Sequence, residues 1–467
     1  MLKLKSPDLK RTSGRKKNRK RFQNYFPLAG IFFLSLLVRL IYNLTTARTY
    51  FAQYDAAWYN HIAYNIVYQH CFCQYSNHPS ISRPPLWSFI LSIFYLVTPQ
   101  PSSQLLDSGV QVFYGRLFYC FIGSFTCVLV YLLARDLFGK RIALIAGIIA
   151  ALYAGLFIYD GWLYSESLYT FLLTAFTYSL YRLQRTSKRR WVVFSGLFLG
   201  MAALTRPNGL ILLGLLFLWA IAVLLSKELP WQTAVKSTVA ITCIAAVLIA
   251  PWTYRNYLVS HSFVPVSIGE GDVLLGAYND SLLRDTSQSW ISPRAITPRP
   301  NLPQVVLEGK DTDQYTAEDD KIATDYALNW ILMHWRDMPQ LLSRHFINMW
   351  TPYTTEVNLP FKQSPNLLSS QVVWYMILYI PIPIFLLAFF GLLVTWHRRK
   401  RQLLIAYAVI ALTIAQNLAF WGNMRFRAPI EPLLVLLASG ALWWLVCDEP
   451  GTFRYRRKQK RVKKIYG

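Results

Sequence analysis

Long apolar stretches separated by short polar breaks dominate the chain. A bilayer is crossed by about 20 mainly apolar residues in a helix, and ten segments meet or approach that length: 26–44, 115–137, 142–159, 165–181, 191–205, 209–225, 233–251, 373–396, 403–421 and 428–446. An eleventh apolar run, 85–98, is short, and the charges flanking the segments decide its topology. If it does not cross, both chain ends and the linkers Lys140-Arg141, 182–190, 227–236 and 398–401 fall on one side, and that side collects the Lys and Arg that mark the cytoplasm. If it crosses, the N-terminal tail lies opposite every other basic linker. The run therefore reads as an interfacial or re-entrant helix on the outer face.

This count divides the chain into a basic cytoplasmic tail (1–25), a transmembrane catalytic module (26–251) with a first outer loop at 45–114, a large outer loop region (252–372), C-terminal transmembrane helices (373–447) and a second basic cytoplasmic tail (448–467). The loop 252–372 carries nine Lys/Arg against thirteen Asp/Glu, a bias opposite to that of the linkers. The first loop contains a helix-like run at 55–68, and the second mixes Pro/Gly turns with an amphipathic stretch at 319–335. No internal repeat is evident, which weighs against a transporter built on inverted repeats.

Composition sharpens the picture. Of the 467 residues 54% are hydrophobic and 15% charged, and mean hydropathy is +0.28, which excludes a single water-soluble globule. The 16% of aromatics suits helix ends at two membrane interfaces. The net charge of +25 suggests nucleic acid until it is mapped; the two tails supply fifteen of those charges, and no basic stripe interleaved with stacking aromatics exists on a soluble fold. Nucleic acid is not the expected partner; membrane lipid is. Cys120, Cys127, Cys243 and Cys447 lie in apolar spans and read as packing residues. Cys71 and Cys73 face outward beside His70 and near His78, where a disulfide or a metal site is possible. No ligand set for a metal matches them elsewhere, and no metal or other cofactor is expected.

Charge at membrane depth is expensive, so each instance needs a reason. Asp55 follows the first span in Tyr54-Asp55-Ala56-Ala57-Trp58-Tyr59 and has the character of a proton acceptor or of a first-turn acid. Arg83 precedes Pro84-Pro85, which hold it extended at headgroup depth, where its planar fork can meet a phosphate or snorkel to lipid. Asp160 and Glu166 bracket the turn between the third and fourth spans. Arg206, in Thr205-Arg206-Pro207, can pair with these acids or reach a phosphate. Arg255 and the pair Arg425/Arg427 stand at two further outer helix ends. Arginine thus collects at the outer ends against the general charge bias, and an anion is the natural ligand. There is no Walker loop, no His-Glu-x-x-His and no Gly-x-Ser-x-Gly, so an energised donor has to arrive through the lipid.

These motifs, in order, resemble the membrane-embedded GT-C glycosyltransferases of family 39, the bacterial relatives of dolichyl-phosphate-mannose protein mannosyltransferases and of lipid A aminoarabinose transferases. The resemblance rests on Tyr54-Asp55 with Trp58-Tyr59, Ser82-Arg83-Pro84-Pro85-Leu86, Ser165-Glu166, Leu204-Thr205-Arg206-Pro207, Ala250-Pro251-Trp252 with Arg255-Asn256, and Arg425-Phe426-Arg427-Ala428-Pro429 with Pro432. It implies an all-α polytopic membrane protein of GT-C type, with about ten transmembrane helices, outer-face interfacial helices and a mixed outer loop region. It implies a polyprenyl-phosphate sugar donor, an acceptor on the outer face and residence in the bacterial plasma membrane. By the same resemblance Asp55 is the candidate general base and Arg83 sits where the family places a basic residue near the lipid phosphate; Asp160 and Glu166 are second candidates, for orienting the acceptor or for the base itself. Arg83, Arg206, Arg255, Arg425 and Arg427 are the donor-phosphate candidates, and Tyr54, Trp58 and Tyr59 are substrate contacts. The rival reading is a multi-span transporter or flippase for a sugar-linked lipid, which would need ions in mid-span; Arg39, inside the first span, is its best support.

Overall fold

A computed structural model describes residues 9–75, 78–285, 287–312, 314–352, 359–365 and 367–447. The C-terminal tail and residues 1–8 of the N-terminal tail lie outside the described residues, as does Cys447's side chain. Among the described residues there is no strand, and helix after helix packs around one large apolar core.

The first span is the C-terminal part of α1 (Leu9–Leu44). Its chain passes through the outer loop into α2 (Asp55–Tyr68) and α3 (Pro85–Leu96). Pro84 is extended and Pro85 opens α3, as proline's fixed φ and missing N–H dictate. At 12 residues α3 is too short to span a bilayer. Next come α4 (Val110–Phe138) and α5 (Lys140–Leu152); after α5 the chain breaks at Tyr153 and bends by 63° into 154–161. The bundle continues through α6 (Glu166–Thr186), α7 (Arg189–Thr205), α8 (Ile211–Leu225) and α9 (Trp231–Ser260). The long loop after α9 contributes α10 (Glu270–Ala277), α11 (Ala317–Met333) and α12 (Met338–Trp350). The chain ends in α13 (Leu367–Tyr379), α14 (Pro381–Ala419) and α15 (Glu431–Cys447).

Seven helices of the described residues are long and apolar enough to cross a membrane, or eight if the bent pair at 140–161 counts as one span. The protein is therefore polytopic, with fewer apolar spans than the ten read from hydropathy. The difference lies partly in α6 and α7. Helix α7 has 17 residues, and α6 is diluted by hydroxyls. Nearly all of α6 is buried among other helices, so its surroundings are protein rather than lipid. Thr174 and Thr177 return their hydroxyls to the carbonyls of Thr170 and Leu173, at 2.7 and 2.8 Å, which makes polar side chains tolerable there.

Helix α14 is formally continuous over 39 residues, yet Tyr407 donates to the Thr395 hydroxyl at 2.8 Å and packs on Trp396. Twelve residues of straight helix would separate the two by about 18 Å. The helix thus doubles back at the basic cluster 398–401, making two antiparallel arms. At this same end Arg182 meets Asp136, and Gln184 meets both Glu228 and the Arg401 carbonyl. The basic linkers gather at one end of the bundle, and the two long loops, 45–114 and 252–372, gather at the other.

The long loop after α9 is tied down across its width. Trp252 Nε1 donates to the Val266 carbonyl at 2.7 Å, the Ile268 N–H donates to the Ile81 carbonyl at 3.1 Å, and Tyr278 donates to the Ala419 carbonyl at 2.8 Å. Helices α10 and α11 close on each other through Asp320, which accepts from the Gly269 and Gly271 N–H groups at 3.1 and 3.0 Å. A Cβ at Gly271 would collide with the Asp320 carbonyl, so the close approach needs glycine there.

Candidate active site

At the end of the bundle opposite the basic linkers, the ends of α2, α3, α6, α7 and the turn before α15 converge on a row of alternating charges. Asp55 opens α2 and Glu166 opens α6, so each carboxylate sits where the exposed N–H groups of a helix favour negative charge. Tyr54, just before Asp55, has a φ of 51°, and the α2 backbone turns sharply there to present the carboxylate. Arg83 Nη2 stands 3.6 Å from one Asp55 oxygen, and Arg425 Nη2 binds the other at 2.6 Å. Arg425 Nε simultaneously engages Glu166 Oε1, which also receives Arg206 Nη1 at 2.7 Å. The order across the site is Arg83, Asp55, Arg425, Glu166, Arg206.

Aromatic rings hold these guanidinium planes in place. Arg83 lies 4.0 Å over the Trp58 ring, Arg425 lies 4.2 Å over Tyr164, and Arg206 lies 5.3 Å from Phe426. Tyr164 in turn stacks on Trp162 at 3.6 Å. Tyr59 is buried behind Asp55, whereas Tyr54 is 58% exposed at the mouth. Burial pushes the Asp55 carboxyl up, but the charges of Arg425, Arg83 and Lys310 outweigh it and hold the group well below the ordinary carboxylate range. Asp55 is thus ionised at neutral pH and clamped by its cations.

Asp160, Arg255 and Arg427 lie outside this row. Asp160 is fully buried and takes Arg39 Nε at 2.6 Å, which also accounts for the arginine inside the first span without a conduction path. A Cβ at Gly123 would collide with both members of that pair. Arg427 is fully buried against Glu431 at 2.6 Å and donates to the Met349 and Thr351 carbonyls. Arg255 donates to the Ser80 carbonyl at 2.6 Å and lies over the Trp252 and Phe72 rings, so it pins the loop that carries Arg83. The same loop carries a Cys71–Cys73 disulfide. Among the described residues no group of three or more His, Cys, Asp and Glu could hold a metal. Cys120 and Cys127 are buried, while Cys243 is exposed on the span surface. The sequence gives no local mark of Lys310, flanked by Glu308 and Asp311, whose charge in the long loop after α9 helps lower the Asp55 carboxyl.

A sequence model of the dolichyl-phosphate-mannose-protein mannosyltransferase family matches residues 77–254. That stretch contains Arg83, Glu166 and Arg206 but neither Asp55 nor Arg425. Among solved structures the chain superposes on the archaeal oligosaccharyltransferase AglB from Archaeoglobus fulgidus in complex with an inhibitory peptide and a dolichol-phosphate. The TM-score is 0.54 at 13% identity, covering 94% of this chain and 52% of that one. The fold is that of the GT-C membrane glycosyltransferases. The same archaeal enzyme in its apo form superposes at a TM-score of 0.55, with 13% identity and the same coverage. The chain thus spans about half the length of the archaeal enzyme it matches. ArnT from Cupriavidus metallidurans bound to undecaprenyl phosphate gives a looser superposition, at a TM-score of 0.42 and 14% identity over 90% of this chain and 78% of that one. No curated protein sequence matches the chain.

Proposed function

We propose that the protein moves one sugar from a polyprenyl-phosphate carrier to an acceptor hydroxyl on the outer face of a bacterial plasma membrane, both termini being cytoplasmic. The observation that carries the reading is the row Arg83, Asp55, Arg425, Glu166, Arg206, in which three permanent cations face two carboxylates at the end of a membrane bundle. The surplus positive charge suits a phosphate at headgroup depth. The GT-C fold supports it, and the archaeal structure that shares the fold holds a dolichol-phosphate. The Cys71–Cys73 disulfide suits an outer face exposed to an oxidising compartment.

In this mechanism the acceptor oxygen attacks the anomeric carbon, the bond from that carbon to the phosphate oxygen breaks, and the electron pair leaves with the phosphate. The acceptor proton goes to an Asp55 oxygen. Clamped by Arg425 and Arg83, Asp55 is a weak base; a bound phosphate competes for the same two guanidinium groups and restores its basicity. The base is thereby activated only when donor is present. Those arginines face charge that grows on the departing phosphate, so they stabilise the transition state more than the ground state. Glu166 holds Arg425 and Arg206 in place, and Tyr54, Trp58 and Tyr59 wall the acceptor side. A single displacement with one proton acceptor inverts the anomeric centre.

The test is release of free polyprenyl phosphate by purified protein from a panel of polyprenyl-phosphate sugars, with cell-envelope extract as acceptor. Wild type releases it, and Asp55→Asn, folded to the same melting temperature, is slower by at least 10²-fold. Full activity of folded Asp55→Asn removes Asp55 from the role of base.

A further inference from the structure

The loop that leads from α2 to Arg83 turns on three residues, Cys71-Phe72-Cys73, whose two cysteines are joined as a disulfide with Cα atoms 5.3 Å apart. That small ring is where the loop grips the bundle. The Phe72 side chain is buried, with ring centroids 4.7 Å from Trp252 of α9 and 5.8 Å from Phe89 of α3, and the Arg255 guanidinium lies 5.3 Å over it. The Phe72 carbonyl accepts from the Ser80 N–H at 2.8 Å and from Arg255 Nη2 at 3.5 Å, while Arg255 Nη1 donates to the Ser80 carbonyl at 2.6 Å. Asn65 of α2 clasps the ring from its other side. Its carbonyl accepts from the Cys71 N–H at 3.2 Å, and its side-chain amide donates to the Cys73 carbonyl at 3.0 Å. Ser80 stands three residues before Arg83, and Pro84 and Pro85 directly after Arg83 commit the chain to α3. Arg83 is thus held between two fixed points, the Ser80 backbone bonded to Phe72 and the start of α3.

We propose that the Cys71–Cys73 disulfide is a positioning device for Arg83: by fixing Phe72 it fixes Ser80, and through Ser80 the place where the Arg83 guanidinium meets the carrier phosphate. This rests on the glycosyl-transfer reading and adds two positioning residues to it. A bond across so short a loop removes little entropy from the unfolded chain, so its contribution to global stability is small. Its local effect is larger, because it denies Phe72 the backbone conformations that would carry its ring away from Trp252 and its carbonyl away from Ser80. Arg83 needs such care. Its guanidinium lies 4.0 Å over Trp58, donates to the Ser82 carbonyl at 3.3 Å and stands 3.6 Å from Asp55, so its fork is aimed by contacts on three sides. Fork-to-phosphate bonds depend on distance and angle, and a loop free to shift keeps the charge nearby but loses the bonds. The disulfide can also be opened. Cys73 is fully buried and Cys71 only partly, so an incoming thiolate reaches the Cys71 sulfur. A dithiol attacks there, and Cys73 leaves as a thiolate and takes a proton. The second thiol of the reagent then attacks its first sulfur and releases Cys71, so two electrons pass to the protein and the reagent ends as a cyclic disulfide.

The experiment measures binding of undecaprenyl phosphate, and of uncharged undecaprenol, to the full chain in lipid nanodiscs. Wild type, Cys71→Ser/Cys73→Ser, Arg83→Ala and the triple variant are compared, each with and without dithiothreitol. The double variant binds the phosphate about tenfold more weakly than oxidised wild type, keeps its melting temperature within about 3 °C and ignores dithiothreitol. Wild type falls to the same affinity on reduction and recovers on reoxidation. Undecaprenol binds all of them alike. Arg83→Ala is weaker by itself, and removing the cysteines from it changes the affinity by less than about twofold, because the disulfide acts through Arg83. Wild-type phosphate affinity in the folded double variant, an equal loss for undecaprenol, or a further tenfold loss on the Arg83→Ala background overturns the positioning role and leaves the wider reading standing. An oxidised wild type that binds the alcohol as tightly as the phosphate overturns both.

Discussion

Replacing Asp160 separates a packing role from a chemical one. Asp160 and Arg39 are each about 1% exposed and meet at 2.6 Å. Two unit charges at about 4 Å attract by roughly 4 kcal/mol at an effective dielectric constant near 20. Asp160→Asn keeps the shape but leaves the Arg39 guanidinium buried with only neutral partners, the Ser35 hydroxyl and carbonyls of Ser35 and Leu156. Breaking a buried pair this way costs about 3–5 kcal/mol, whereas removing both charges is close to neutral. The single variant should therefore melt several degrees below wild type in detergent, and Arg39→Met combined with Asp160→Asn should recover most of the loss. The double variant should transfer sugar within about threefold of wild type, because neither group reaches the row that holds Asp55. Thermal unfolding and the phosphate-release assay on the four proteins of the cycle supply both readouts. A well-folded double variant that is slower by 10²-fold or more would place Asp160 in the chemistry and refute the packing role.

Arg425→Lys keeps the charge but loses the fork that binds Asp55 and Glu166 together, and kcat/KM should fall on the order of 10²-fold with the melting temperature held; wild-type activity in that variant would show that charge alone suffices. Glu270 sits half-buried beside Asp320 and Lys310; burial first and the Asp320 charge second push its pKa up to about 7, against the pull of Lys310. A carboxyl raised in the fold contributes stability that is fully present below its unfolded pKa, near 4, and is lost as pH rises through about 7. Hydrogen exchange of 264–320, corrected for intrinsic rates, should therefore show more protection at pH 5.5 than at pH 8.5, and Glu270→Gln should flatten the difference. An unaltered pH dependence in Glu270→Gln would assign the effect elsewhere.

The membrane class, the all-helical architecture and the sorting of the basic linkers from the arginine-bearing helix ends at the opposite end of the bundle were legible in the sequence. Each depends on how a segment partitions between lipid and water, and that is a property of the segment alone. Span count was less legible, because α6 is surrounded by protein and its hydroxyls are satisfied within its own helix, so its polarity never meets lipid. Partner choice was not legible at all. Arg425 and Arg427 are two residues apart in one short helix and so point about 200° apart; one reaches Asp55 and Glu166 while the other is sealed against Glu431. Asp160 and Glu166 bracket one turn, yet the first is claimed by Arg39 from another helix and the second joins the site. Lys310, 255 positions further along the chain, adds its charge to those that lower the Asp55 carboxyl, and two positive-φ glycines, Gly269 and Gly309, shape the loop around it. Sequence by itself therefore determined that arginines and acids collect at the helix ends opposite the basic linkers. Only the tertiary structure decided which charges meet, because an ion pair depends on where helix ends arrive in space, and that is set by the packing of the whole bundle.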